Sequence, residues 1–224
     1  MTKYGVLLIG GNRTHQENHA QVFSKHPQCE LVAVADEHDA PDMRHKLNQE
    51  LADEHGIPYF RDLDKALARE DVQIVSMCVR VERRGVVAVK CAEAGKHVYL
   101  DKPLCGSVEA ADAIVEAVEK KGVVNQMYST IYADWPQRAK QAIRGGGIGS
   151  IRSIHAEVLF GKGSAGNLPK DTVRWETERH EEFTFVESKR EMFDVGVYPL
   201  TIIHWLTGRK AEAVTASAFR PVSQ

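Results

Sequence analysis

Short apolar runs alternate with helix-length segments over the first 127 residues of the chain. The first run is YGVLLI at positions 4–9, and four more follow at residues 30–35, 72–77, 97–100 and 123–127. Runs of this kind, almost wholly apolar, are typical of strands buried on both faces of a parallel sheet. Strands that alternate with helices connect as right-handed βαβ units. The pattern therefore predicts a doubly wound α/β domain built on an open parallel sheet.

Capping residues delimit the helices between these strands. Pro41 fits the first turn of a helix that stops at Gly56, and Asp62 and Ser107 are suited to N-cap positions. Gly122 ends the last helix of this region, whose apolar residues recur at helical spacing. Helices are predicted at residues 19–26, 41–54, 63–68, 84–94 and 108–121.

The pattern changes after residue 127 and predicts the start of an α+β domain with a mostly antiparallel sheet. Residues 151–160 (IRSIHAEVLF) alternate in polarity, which is typical of a strand with one wetter face. We therefore divide the chain into an α/β domain at 1–127 and a partial α+β domain at 128–224. The second domain is predicted to contain helices at 135–144 and 198–206, strands at 151–160, 183–187 and 211–219, and a long loop at 161–182.

Composition excludes several functional classes. The 224 residues carry a formal net charge of −2, so no basic excess indicates a nucleic-acid partner or a membrane surface. The chain enters its first apolar strand at Tyr4 without a signal-peptide pattern, and we expect a cytoplasmic protein. The four cysteines form no C-x-x-C pair and match no zinc spacing, so no metal site is predicted.

A turn that could bind phosphate follows the first strand. Backbone amides at a helix N-terminus bind a dinucleotide diphosphate where small residues let it approach, and the usual fingerprint is G-x-G-x-x-G. The sequence here is GGNRTH, so the predicted cofactor-binding residues are Gly10, Gly11, Asn12 and Arg13. Asn12 replaces the second glycine and His15 the third. An ordinary Gly-Gly turn explains the same residues.

Asp36 ends the second strand, 26 positions after Gly10. A carboxylate in this place binds the ribose hydroxyls of the cofactor in Rossmann-type domains, and it repels a 2′-phosphate. No arginine follows it directly. We therefore predict NAD rather than NADP as the cofactor, with Asp36 as a cofactor-binding residue. In the alternative interpretation Asp36 merely caps the loop that follows.

The segment HVYLDKPL places Lys102 just after a strand, at the edge of the sheet where ligands bind. Transfer of a hydride from an alcohol needs a group that takes the hydroxyl proton, and a lysine amine can do so. The alternative is an ordinary surface lysine in a loop.

AEAGKHVYLDKPL resembles the AGKHVxxEKP segment of the glucose–fructose oxidoreductase, inositol dehydrogenase and MocA family, with Asp101 in place of Glu. The resemblance implies that Lys102 is catalytic and also touches the nicotinamide ribose. MFDVGVYPLTIIHWLTG resembles the D-x-G-x-H/Y segment of that family, which implies that Asp194 and Tyr198 face the substrate, with Tyr198 as a proton donor. A capped helix with Tyr198 in the core is the alternative, and His204 is expected to be an ordinary packed histidine.

Two features depart from the family. Relatives carry T-P-N-x-x-H after the third strand run, where this chain has VRVERR at 79–84. That charged stretch is either a loop that binds the cofactor differently or a salt-bridged surface. Relatives also extend past Gln224, so we expect a fragment or a shortened substrate domain, whose open sheet edge favours a homo-oligomer. Trp175, in the predicted loop, could stack on a sugar ring.

Two functions remain open at this point. The first is an NAD-dependent dehydrogenase that acts on the CH–OH group of a sugar, cyclitol or related polyol. The second is a non-catalytic dinucleotide- or sugar-binding regulator with the same fold, which the altered turn and the VRVERR stretch favour. Fold alone does not decide between them.

Overall fold

A six-stranded, wholly parallel sheet with the order β3-β2-β1-β4-β5-β6 forms the centre of the computed structural model, which describes residues 3–11, 15–158 and 195–217. This order and the parallel pairing confirm the predicted doubly wound fold. The strands are β1 (Tyr4–Ile9), β2 (Cys29–Ala35), β3 (Tyr59–Phe60), β4 (Ile74–Met77), β5 (His97–Leu100) and β6 (Asn125–Met127).

Five helices connect these strands, and most of them end as the sequence predicts. Gly56 and Gly122 end their helices with left-handed backbone, and Asp62 and Ser107 accept amide hydrogen bonds as N-caps. The helices are α1 (His15–Lys25), α2 (Asp42–His55), α3 (Leu63–Leu67), α4 (Val81–Glu93) and α5 (Val108–Lys121).

The centre of the sheet is completely buried. Val6, Leu7, Leu8 and Ile9 of β1 have no exposed surface, because neighbouring strands flank β1 on both sides and helices cover both faces. Complete burial of one such side chain contributes roughly 1.5–3 kcal/mol relative to leaving it exposed. The core therefore fixes the carboxyl end of β1, where the predicted site begins.

Helix α1 begins four residues earlier than predicted, at His15 instead of His19. The polar stretch after β1 indicated a longer turn, but its Gln16 side chain is buried, like that of His19 just after it, and both have partners inside the domain. The side-chain amide of Gln16 donates to the carbonyl oxygen of Ser76 at 2.9 Å, and Ser76 Oγ lies 3.5 Å from His19 Nδ1. Because these bonds satisfy the buried polar groups, the helix tolerates them.

The charged stretch at 79–84 is mostly the start of a helix, since α4 begins at Val81 and not at Arg84. Arg83 pairs with Glu37 at an exposed position, which agrees with the salt-bridge interpretation. Arg84 does not, because it is buried on the inner face of α4. The interpretation as a salt-bridged surface therefore holds for Arg83 and not for Arg84, which is a core residue with polar partners.

The chain divides into two compact units. The first contains Met1–Tyr128 and Phe160–Val195, and the second contains Ser129–Leu159 and Gly196–Gln224. In the second unit a short 3₁₀ turn at Thr130–Tyr132 precedes α6 (Asp134–Arg144), and α7 spans Val197–Thr207. Lys140 of α6 donates to the carbonyl oxygens of Trp205 and Leu206, at 3.0 Å for Leu206, so it holds the C-terminal end of α7.

Two predicted strands of the second unit are absent from the described part of the chain. Residues 151–158 and 211–217 have no regular secondary structure, and the apolar side chains Ile154, Val158 and Val214 remain exposed. An alternating segment becomes a strand only where a partner strand accepts its hydrogen bonds, and neither segment has one among the described residues. The predictions at 161–182, including Trp175, and at 183–187 lie outside those residues. No helix in the described ranges has the length and apolar character needed to cross a membrane.

Candidate functional site

The register of the sheet brings the predicted site residues of the first unit to one edge. Ile9 pairs with Ala35 on one side and with Met77 on the other, and Met77 pairs with Leu100. The residues that follow these strand ends therefore emerge side by side, among them Gly10, Asp36 and Asp101. The edge lies at the point where the strand order reverses between β1 and β4, which is where open α/β sheets bind ligands.

Gly10 occupies a position that only glycine fits. Its φ is +83°, and a Cβ atom there would collide with the guanidinium of Arg44 and lie 3.0 Å from the backbone nitrogen of Val79. Glycine is therefore required at this turn both by its backbone conformation and by the close packing of Arg44 and Val79. Asn12 and Arg13, the other predicted turn residues, lie outside the described residues.

Asp36 is buried, with 2% of its surface exposed, and a network of side chains surrounds it. Its Oδ1 accepts a hydrogen bond from the Glu37 amide at 2.9 Å, as the capping interpretation requires. Its Oδ2 accepts one from the Asn48 side chain at 2.8 Å and lies 2.9 Å from Arg44 Nη2. Asn48 in turn accepts from the Gly11 amide at 2.6 Å. The predicted turn and the predicted ribose-binding carboxylate are thus joined through one amide side chain.

Arg44 is 5% exposed and lies beside both Asp36 and Gly10. Within the described ranges, neither its Nε nor its Nη2 atom has a hydrogen-bond partner, although Nη2 is in ion-pair distance of Asp36. Buried guanidinium donors without acceptors are costly. An anionic group with several acceptor oxygens, such as a phosphate group of a dinucleotide, fits beside them.

The carboxylate of Asp101 lies between two basic side chains. His15 Nδ1 is 2.7 Å from Asp101 Oδ2, and Arg84 donates to the same oxygen at 3.2 Å. Burial alone would raise the pKa of Asp101, but the hydrogen bond from His15 and the charge of Arg84 hold it below its ordinary value. Asp101 is therefore ionised at neutral pH, directly before Lys102.

Arg84 also holds the backbone around Lys102. Its guanidinium donates to the carbonyl oxygens of Val79 and Asp101, each at 2.9 Å, and to that of Pro103. Lys102, between the last two of these, is only 6% exposed, which excludes the interpretation as a surface lysine. The carbonyl groups on both sides of the lysine are thus fixed by one buried side chain.

His19 is buried and contacts two tyrosine rings. Its ring centre is 5.2 Å from that of Tyr99 and 5.9 Å from that of Tyr128. Burial lowers the pKa of His19, and the nearby Asp101 carboxylate only partly opposes this effect. The imidazole is therefore a neutral packing and hydrogen-bonding group at neutral pH.

Four residues of this edge were not identified from the sequence, namely Arg44, Asn48, Arg84 and His15. A signal existed for the first three. Arg84 stands at helical spacing with Val87, Ala88 and Cys91, which are buried, and Arg44 and Asn48 share the buried face of α2. A polar residue on an apolar stripe indicates a buried group with specific partners. For His15, the only signal was its position at the third-glycine offset.

Of the two predicted substrate residues, the structure describes Tyr198. Tyr198 is on α7 of the second unit and is half-buried, so it is not a core residue, while Asp194 lies outside the described residues. His204, also on α7, is exposed and donates from Nδ1 to the carbonyl oxygen of Arg209 at 3.0 Å. This bond holds the end of α7 and gives His204 a structural role.

Comparison with known proteins agrees with this architecture. A family model described as an oxidoreductase family with an NAD-binding Rossmann fold matches residues 4–129, and the GFO/IDH/MocA C-terminal domain matches residues 137–224. The levoglucosan dehydrogenase of Pseudarthrobacter phenanthrenivorans is 26% identical over 140 residues, which cover 62% of this chain and 34% of that enzyme. The 4-carboxy-2-hydroxymuconate-6-semialdehyde dehydrogenase of a Sphingobium strain is 36% identical over 76 residues, covering 34% of this chain and 24% of that enzyme.

A solved structure shares the fold. GenD2 from gentamicin A biosynthesis, in complex with NAD, superposes with a TM-score of 0.59 at 26% identity, covering 66% of this chain and 40% of that one. The chain spans less than half the length of these curated relatives and of GenD2. Both halves of the sequence nevertheless match consecutive family models, and the first contains the NAD-binding Rossmann sheet. The chain therefore belongs to the oxidoreductase family of glucose–fructose oxidoreductase, inositol dehydrogenase and MocA.

Proposed function

We propose that the protein is an NAD-dependent oxidoreductase that acts on a CH–OH group of a sugar, cyclitol or related polyol. One observation carries the proposal most directly. Lys102 is buried at the ligand-binding edge of the sheet, directly after an ionised aspartate, in a backbone segment that Arg84 fixes on both sides. A lysine buried and fixed in this way at a ligand-binding edge is a candidate for proton transfer.

The residues at this edge fit a dinucleotide. The turn after β1 has a backbone conformation at Gly10 that favours glycine, and we propose that Gly10 and Gly11, with Asn12 and Arg13, hold the diphosphate. Asp36 is the proposed partner of the adenosine ribose, and Lys102 that of the nicotinamide ribose. When bound, the dinucleotide supplies the centre that accepts or gives the hydride.

The chain itself would supply proton transfer and orientation. We propose that the Lys102 amine takes the hydroxyl proton of the substrate during oxidation, or returns it during reduction, while Arg84 and Asp101 keep the lysine backbone in place. The motif resemblance assigns Asp194 to a substrate hydroxyl and Tyr198 to a second proton-transfer group. Positioning and proton transfer of this kind account for a large part of the rate in such reactions.

The domain division supports the same proposal. We propose that residues 1–127 bind the dinucleotide and that residues 128–224 contribute to the substrate site and to a homo-oligomer. The levoglucosan dehydrogenase relative acts on a small carbohydrate by its name, and we propose a small molecule of that class here. Light scattering of the purified chain would determine the oligomeric state.

A second candidate function is a dinucleotide-binding regulator without catalysis. The observation that favours it is that the site residues already bind one another. Asn48 accepts a hydrogen bond from the Gly11 amide and donates one to Asp36, and Arg44 forms an ion pair with Asp36. A carboxylate already satisfied by protein donors binds ribose hydroxyls less readily. Binding of NADH without turnover of any polyol would favour this candidate.

The decisive experiment compares the wild-type chain with Lys102→Met. Turnover is measured by NAD reduction against a panel of sugars, cyclitols and polyols, and NADH binding is measured by calorimetry. Loss of an essential proton-transfer group lowers kcat by roughly 10²–10⁴-fold, while NADH binding is expected to weaken far less. Lys121→Met, at the exposed end of α5, is the matched control. Undiminished turnover in Lys102→Met would contradict the proposed mechanism.

A further inference from the structure

We propose that the adenosine end of the cofactor site accepts a 2′-phosphate, so that the chain binds NADPH as well as NADH, with Arg44 and Arg83 as the phosphate-binding groups. This inference rests on the dinucleotide binding of the proposed function. The inference concerns the net charge of the segment directly after β2. In the sequence this segment shows two carboxylates, Asp36 and Glu37, and no adjacent lysine or arginine.

Selection against NADPH needs negative charge at the ribose. A carboxylate after the second strand accepts the ribose hydroxyls and repels a 2′-phosphate. In this structure each carboxylate is paired with an arginine from a different helix. Asp36 Oδ2 lies 2.9 Å from Nη2 of Arg44 on α2, and Glu37 accepts from Nε of Arg83 on α4 at 3.0 Å. The two acidic and two basic side chains cancel, so the repulsion that excludes a 2′-phosphate is removed.

Arg44 is the group best placed to bind the phosphate. It is 95% buried, given an exposed fraction of 5%, yet its Nε and Nη2 atoms donate no hydrogen bond within the described ranges. Its guanidinium lies against Gly10, on the cofactor-binding edge, and next to Asp36, the proposed ribose partner. The planar guanidinium of arginine matches the geometry of a phosphate. A bound phosphate would therefore accept hydrogen bonds from Nε and Nη2 of Arg44.

Arg83 supplies the second cation. Its side chain is 47% exposed, so it can turn from Glu37 toward a phosphate without unfolding its surroundings. A sequence search for NADP binding examines the residue directly after the acidic one, which here is Glu37. The arginines come instead from positions 44 and 83, which the fold brings to the same place.

The test is a calorimetric titration of the whole chain with NADH and, separately, with NADPH. We expect the wild-type chain to bind both. Loss of charge-assisted hydrogen bonds to a phosphate raises the Kd by about 10–100-fold. Arg44→Leu is therefore expected to weaken NADPH binding by about that factor and NADH binding by much less. Asp36→Asn, which releases Arg44 from its ion pair, is expected to shift the preference toward NADPH. Reciprocal shifts in the two variants would identify the pair as the determinant.

The control is Arg69→Leu, which removes one positive charge from the exposed Arg69–Asp71 pair outside this site. It corrects for the general effect of charge on an anionic ligand. Because Arg44 is buried, its variant is first checked for cooperative unfolding. Arg83→Leu, on an exposed side chain, provides an independent test, with an expected several-fold loss of NADPH affinity and little change for NADH.

The outcomes separate this inference from the proposed function. Binding of NADH without NADPH by the wild-type chain would overturn the inference and leave the proposed function intact. Arg44→Leu or Arg83→Leu with the same NADPH affinity as Arg69→Leu would also overturn the role of that arginine. A folded chain that binds neither dinucleotide would overturn both proposals. A direct comparison of 2′,5′-ADP with 5′-AMP, which differ only in the 2′-phosphate, tests the phosphate subsite alone, and tighter binding of 2′,5′-ADP is expected.

Discussion

The imidazole of His15 lies 2.7 Å from the carboxylate of Asp101, across 86 positions of sequence. His15 is the first residue of α1, at the end of the predicted phosphate-binding turn, and Asp101 directly precedes Lys102. Since an ionised carboxylate only accepts hydrogen bonds, His15 Nδ1 donates. In this chain the position of the third glycine is therefore used for a bond that joins the turn to the proposed catalytic segment.

Replacement of His15 by Leu is expected to lower the free energy of unfolding by about 1 kcal/mol, because Asp101 is buried and loses one of its two charge-assisted partners. The value is at the low end of the usual range since His15 itself is partly exposed. Urea unfolding measures the change. His15→Asn, whose side-chain amide can replace Nδ1 as a donor, is expected to recover part of it.

The matched control for this change is His26→Leu, just beyond the other end of α1 and exposed to solvent. We expect it to alter the free energy of unfolding by less than about 0.5 kcal/mol. Equal losses in the two leucine variants would show that the His15–Asp101 bond contributes nothing specific to stability.

Arg84→Met is expected to be the most destabilising of these substitutions. It removes the guanidinium partner of the buried Asp101 carboxylate and the Arg84 donor of three backbone carbonyl groups. Removal of one partner from a buried ion pair costs about 3–5 kcal/mol. Denaturant unfolding monitored by circular dichroism would measure the loss. Arg84→Lys keeps the charge but not the planar fork, and only partial recovery is expected.

Gly10→Ala tests the close approach at the end of β1. An alanine there must adopt a left-handed φ and also collide with Arg44, so we expect both a loss of stability of about 1–2 kcal/mol or more and weaker NADH binding. Gly95→Ala is the control, since Gly95 has φ +75° but nothing within 4 Å of an added Cβ. Equal effects in both variants would mean that only φ strain matters at Gly10.

The buried imidazole of His19 is expected to make the fold sensitive to mild acid. Its pKa is lowered in the folded chain, chiefly by burial, whereas the unfolded chain has the ordinary value of about 6.5. Below that pH the unfolded state binds more protons, so the free energy of unfolding falls as the pH decreases. Thermal melts at pH 7 and pH 5 are expected to differ less in His19→Gln than in the wild type. The exposed His26→Gln should retain the wild-type difference.

Much of the fold was predictable because strands and helices leave local signals. The apolar runs, Gly56, Asp62, Ser107 and Gly122 all appear in the structure in their predicted roles. The errors occurred where polar residues are buried with distant partners. Gln16 is the clearest case, because its partner at Ser76 is 60 positions away and no local pattern identifies it.

The site was predictable only in part, for the same reason. Lys102 and Asp36 were identified because each follows a strand end, and strand ends of a parallel sheet meet at one edge. The side chains that set their environment, Arg44 and Arg84, come from helices and reach this edge only in the folded chain. The predicted roles of the site residues themselves remain predictions for the experiments above.

The bonds from Lys140 to the carbonyl groups of Trp205 and Leu206 have a kinetic consequence. They join segments 65 and 66 positions apart, whereas all six strands of the sheet lie within residues 4–127. During synthesis on the ribosome the sheet can therefore assemble before α7 of the second unit has been synthesised. Because α7 leaves the ribosome after the sheet, the α6–α7 pair is expected to form after the sheet, and a nascent chain arrested before residue 197 should already protect the sheet from proteolysis.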